Sequence, residues 1–177
     1  MSFLIVGLAA FLASLLTLFS GFGLGTLLLP VMGLFFPLHL AVAVTGVVHL
    51  LNNLFKAALL GRQADWGLVS RFGIPSVLGG FAGAWLLSSL LDIPVWFTWS
   101  IGEQVFEVTA IKSIIGALML LFALQELTPF GQRMQFSPRF LTIGGLISGF
   151  FGGLSGHQGA LRSAFLINTG LDKTAFV

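Results

Sequence analysis

Charge and cysteine are what this chain is short of. Lys, Arg, Asp and Glu make up 8% of its 177 residues against 56% hydrophobic, and a soluble domain of this length could not be covered with polar surface from that stock. The absence of cysteine excludes disulfides, thiolate metal sites and covalent haem attachment, and leaves the redox compartment open. The sequence pI near 9.7 does not signal nucleic acid. Net charge is only +2 and the basic residues are scattered singly, with no patch to neutralise phosphates. The three histidines, at 39, 49 and 157, lack metal-ligand spacing. No Gly-Lys-Ser/Thr follows the glycines, which excludes a Walker-type nucleotide loop. No cofactor and no metal are expected. Before Phe3 the N-terminus also lacks the basic region of a secretory signal, so it reads as retained.

What is there is long apolar runs, at a mean hydropathy of +1.03, which place the chain in a lipid bilayer. About 20 apolar residues cross the hydrocarbon as a helix. The first stretch, residues 3–36, would be roughly 50 Å long as one helix against roughly 30 Å of hydrocarbon, so it must break or re-enter. Further spans are expected over 40–60, 72–91 and 111–127. The third of these carries Gly79, Gly80, Ala82, Gly83 and Ala84, small residues that let a neighbouring helix approach closely. Between the last two spans, Trp96, Phe97, Trp99, Glu103 and Glu107 mix aromatic anchors and acids in the manner of a membrane surface. Arg62, Arg71, Arg133 and Arg139 put the loops at 61–71 and 128–139 on the cytoplasmic side, since basic short loops stay inside.

Glycine interrupts the apolar runs twice. Ser20-Gly21-Phe22-Gly23-Leu24-Gly25-Thr26 breaks the first stretch, and Gly152-Gly153-Leu154-Ser155-Gly156-His157-Gln158-Gly159 breaks the last. Unwound backbone survives at membrane depth only where protein or a polar cavity satisfies it. A gapless overlay pairs Leu12 with Leu146, Ser14 with Ser148, Gly25 with Gly159, Leu27 with Leu161 and Ala41 with Ala175. Another register pairs Ser20-Gly21-Phe22 with Ser148-Gly149-Phe150. The expected fold is therefore an all-α integral membrane protein, a multi-pass helical bundle of two related halves. Each half opens with a glycine-broken helix. Residues 1–138 form the first repeat, and 139–177 start a second that is incomplete.

At these residues the chain resembles the sulfite exporter TauE/SafE family of membrane transporters. Gly21 to Pro30 followed by Ala41-Val42-Ala43-Val44-Thr45 looks like the family's first glycine motif, and Gly156-His157-Gln158-Gly159-Ala160-Leu161-Arg162 looks like the second. Gln63-Ala64-Asp65-Trp66 is similar to the loop after the family's second span. The resemblance covers nearly the whole chain. It departs from the family at Val177, where further spans would follow, so the sequence reads as a C-terminally truncated member.

The second span holds Thr45, His49, Asn52, Asn53 and Lys56; positions 45, 49, 52 and 56 fall within an arc of roughly 60° on a helix. This stripe admits two readings. Intramembrane polar groups face a bundle interior or a water-filled path and are functional candidates, with Lys56 attracting an anion and His49 carrying a proton. Alternatively Lys56 snorkels to the interface and the asparagines join helices. In the second break, His157, Gln158 and Arg162 suit an oxyanion, because amides at a half-helix N-terminus and its positive dipole end bind anions. The plainer reading pairs Arg162 with Asp172 or a lipid headgroup. The candidate substrate-binding set is Gly23, Gly25, Thr26, His49, Asn52, Asn53, Lys56, Gly156, His157, Gln158, Gly159 and Arg162.

The expectation is a transporter of the inner or plasma membrane, not an enzyme, that moves a small anion. The resemblance implies sulfite, a sulfonate or another sulfur-containing anion, exported by alternating access. Expected partners are the lipid bilayer, the anion, and either a second copy of the chain or a segment that completes the second half, with no nucleic acid. A non-transporting membrane subunit is the main rival. An integral membrane enzyme lacks a nucleophile and its partners here.

Overall fold

The computed structural model describes residues 2–20, 24–91, 93–102, 104–129 and 133–170. The first apolar stretch is two helices, α1 (Ser2–Ser20) and α2 (Leu24–Phe35). The expected glycines Gly21 and Gly23, between the two, lie outside the described residues. Pro30 sits inside α2 without ending it. Pro37 then starts α3 (Leu38–Leu60). Leu38–Leu60, Trp66–Ser89 and Ala110–Leu127 are each long and apolar enough to cross a membrane.

The third span starts earlier than residue 72. Asp65 is the reason: its Oδ1 accepts from the amides of Gly67 at 2.8 Å and Leu68 at 3.0 Å, which caps a new helix at Trp66. The segment runs through a single turn, α4 (Trp66–Leu68), a π-helical turn (Val69–Gly73) and α5 (Ile74–Ser89). After α5 the chain forms an antiparallel hairpin, β1 (Val95–Ile101) and β2 (Gln104–Thr109), turned at Gly102 with φ +60°. Glu107 thus lies on a strand opposite Thr98; Glu103 is outside the described residues. Thr109 Oγ1 accepts from Lys112 N at 3.3 Å and caps α6 (Ala110–Leu127) directly from the hairpin. Last come α7 (Leu141–Ser155) and α8 (Gly159–Leu166).

Small residues decide the main packing. A Cβ on Gly145, Gly149 or Gly153 of α7 would collide with the backbone of Phe72, Ser76 or Gly80 respectively, and one on Gly79 or Gly83 of α5 would collide with that of Leu146 or Phe150. The contacts advance in the same sense along both helices, so α5 and α7 run parallel with backbones touching, as small-residue membrane interfaces do. Their shared direction puts the exposed Arg71 and Arg139, near the two N-termini, at one end of the molecule. Ala13, Leu28, Leu29, Met32, Ala41, Val42, Leu87, Ile111, Ile115 and Leu154 form the main core, which joins α1, α2, α3, α5, α6 and α7. A smaller one gathers Phe72, Leu141 and Phe165, with Phe136 stacked on Phe165 at 4.3 Å.

Candidate functional site

The second break is built from local chemistry. Ser155 ends α7 and Gly156 follows at φ +73°, a left-handed conformation that glycine adopts without penalty, its N–H bonded to Gly152 O at 2.8 Å. The chain then passes His157 and Gln158 and restarts as α8, with Arg162 N donating to Gln158 O at 2.8 Å. Ser148 Oγ reaches Gln158 O at 3.3 Å and fastens the break to the preceding helix. His157 Nδ1 stands 2.8 Å from Ser155 O. A carbonyl only accepts, so Nδ1 carries the hydrogen and Nε2 is the ring atom turned elsewhere.

The two glycine breaks meet. A Cβ on Gly25, in the first turn of α2, would collide with the Gly156 carbonyl and would lie 3.5 Å from His49 Nε2. One on Gly156 would touch Thr45 and Leu29 at 3.8 and 3.9 Å. The first turn of α2, the second break and the α3 stripe therefore converge on one place. Thr45 is fully buried, Asn52 and Lys56 are buried, and His157 is 3% exposed. His49 is within electrostatic reach of Arg162, His157 and Lys56, and Lys56 within reach of Arg162.

Three polar atoms there, Thr45 Oγ1, His49 Nε2 and His157 Nε2, are shut off from solvent without a hydrogen-bond partner among the described residues. Such atoms are costly to bury unsatisfied. Phe122 of α6 lies over the His157 ring, centroids 6.2 Å apart and nearly parallel, and closes that side.

Most of the expected set is thus brought together: Gly25, His49, Lys56, Gly156, His157 and Arg162, with Gln158 and Gly159 in the adjoining backbone. Asn52 shares the inward face of α3, whereas Asn53 is exposed on the other side. Thr26 lies one residue after Gly25 in α2. Gly23, and Asp172 as a partner for Arg162, lie outside the described residues. Lys56, 7% exposed, is turned into the bundle rather than to its surface. Sequence reasoning does not single out Ser155 or Phe122, and neither carries a signal: one acts through its backbone carbonyl, the other is an aromatic in an apolar helix.

Against protein-family models, residues 6–177 match the model described as sulfite exporter TauE/SafE. No curated protein and no solved structure matches the chain.

Proposed function

The chain belongs to the sulfite exporter TauE/SafE family, and on that premise we propose that it is a multi-pass protein of the cell membrane that exports a small sulfur-containing anion, sulfite or a sulfonate. Membership makes it a membrane protein of a transporter family; the anion, its direction of travel and the site are our reading. The observation that carries the reading is the meeting of the two glycine breaks beside two cationic side chains and two imidazoles. Thr45 Oγ1, His49 Nε2 and His157 Nε2 supply hydrogen-bonding capacity that the described residues leave unused. Arg162 and Lys56 supply positive charge in a low-dielectric setting, where it acts on an anion far more strongly than in water. Arginine adds planar, forked donation that suits an oxyanion.

The proposed site lies between the first repeat, which contributes α2 and α3, and the start of the second, which contributes α7 and α8. Discontinuous transporter helices place their sites at such repeat boundaries. Rocking of one half against the other would expose the site to each side in turn.

The test is flux of labelled sulfite and of methanesulfonate in liposomes containing the full chain. Arg162→Ala and Asn52→Ala are expected to lower flux at least tenfold while leaving insertion intact. Unchanged flux in both variants would remove the site, and no flux of either anion by the unaltered chain would remove the function.

A further inference from the structure

We infer that the anion enters this site together with a proton carried on His157 Nε2. The inference rests on the proposed anion site and adds its coupling ion. The orientation of the His157 ring is fixed. With Nδ1–H committed to the Ser155 carbonyl at 2.8 Å, a neutral His157 has only a lone pair at Nε2. That atom is buried and has no partner among the described residues, in a side chain 3% exposed.

A lone pair facing an anion's oxygen is two acceptors face to face, which repel. Only the imidazolium donates from both nitrogens and can bind the anion there. The proton, conversely, needs the anion. The His157 side chain is buried, and an imidazolium charge held there without a counter-ion is costly, a cost that the anion's own charge offsets. Each ligand therefore raises the affinity of the other, by the same factor in both directions.

The other titratable groups on the elements packed around the ring are few. His49 and Lys56 stand on α3, with His39 exposed at its far N-terminal end, and Arg162 on α8, while α6 carries Glu126, one turn beyond Phe122, and Lys112 at its far end. Helices α2 and α7 carry none. His49 Nε2 likewise has no partner among the described residues, so the two rings are separated by the variants below. The lock on Nδ1 is what assigns the proton to His157.

The cycle balances simply. One proton and one anion bind from one side, Nε2 takes the proton, and both leave to the other side. For a monovalent anion the transported charge is zero. The flux then follows the product of the two gradients and is insensitive to membrane voltage.

Methanesulfonate is the decisive probe because its own charge does not change between pH 5 and pH 8. Its binding to the full chain in nanodiscs is expected to weaken about tenfold per pH unit above the pH at which His157 loses its proton, the slope for one linked proton. His157→Gln puts an uncharged amide donor near the Nε2 position and is expected to bind with a flat pH profile. His157→Asn keeps a donor to the Ser155 carbonyl, loses the group at Nε2, and is expected to bind at least tenfold more weakly at low pH. His49→Gln is expected to retain the slope.

A flat profile in the unaltered chain overturns the proton assignment and leaves the anion site standing. A slope that vanishes in His49→Gln but persists in His157→Gln moves the proton to His49 and overturns the assignment to His157. No binding of methanesulfonate, sulfite or sulfate at any pH overturns both the coupling and the site.

Discussion

At the scale of single residues, Gly25 and Gly156 fail for different reasons when replaced. Gly156 needs a left-handed backbone at φ +73°, so Gly156→Ala is expected to cost about 1–2 kcal/mol of stability from the turn alone. Gly25 is helical, and its constraint is the Gly156 carbonyl pressed against it. Gly25→Ala is expected to cost about 1–3 kcal/mol by overpacking and to lower anion flux beyond that loss, because it pushes the two breaks apart. Thermal unfolding in detergent measures the first effect for both variants, and flux normalised to folded protein separates the second. Gly116, around which a Cβ would meet open space, is the control: Gly116→Ala is expected to be neutral or to gain about 0.5–1 kcal/mol of helix stability. The inward stripe of Thr45, Asn52 and Lys56 is legible in the sequence because helical periodicity alone decides it, and the same periodicity sets Asn53 outside the stripe. The partner of each glycine is not legible. Nothing in the neighbourhood of Gly25 names Gly156, since the two meet only through tertiary packing.

Among the elements, the α5–α7 seam and the hairpin contrast in how they declare themselves. The small residues of 79–84 advertise close approach, yet only the structure pairs them with Gly145, Gly149 and Gly153, spaced one helical turn apart. Gly149→Val is expected to abolish correct assembly, whereas Gly33→Val, at an open position in α2, should be tolerated; the yield of monodisperse protein on size exclusion distinguishes them. The hairpin is hidden in the sequence by its mixed aromatic and acidic composition. Its period-2 alternation resolves that mixture, since pairing puts Phe97, Trp99, Phe106 and Val108 on one face and Thr98 and Glu107 on the other. Trp99 stacks on Phe106 at 4.9 Å yet stays 47% exposed. Aromatic rings settle at the headgroup level, and the hairpin joins α6 without a linker. Bromine-labelled lipids are therefore expected to quench a protein retaining only Trp99 strongly; quenching no greater than that of a tryptophan in free solution would place the hairpin away from the bilayer.

For the whole molecule, the cysteine-free sequence makes topology directly measurable. Parallel α5 and α7 require Arg71 and Arg139 to lie on one side, so Arg71→Cys and Arg139→Cys are expected to react with a membrane-impermeant maleimide from the same side. Thr98→Cys in the hairpin is expected to react from the other. Labelling of the two arginine positions from opposite sides would be incompatible with the seam. The membrane character and the site of the second helix break are legible from hydropathy and glycine alone. The seam itself has a consequence for biogenesis. Helix α7 has 15 residues, five of them glycine, and at 1.5 Å per residue it extends only about 22 Å against a hydrocarbon core of roughly 30 Å. On leaving the ribosome it is a poor substrate for insertion by itself, but α5, synthesised some 65 residues earlier on the usual N-to-C order, is already in the membrane with its glycine face uncovered. That face is a template held open for a helix not yet made.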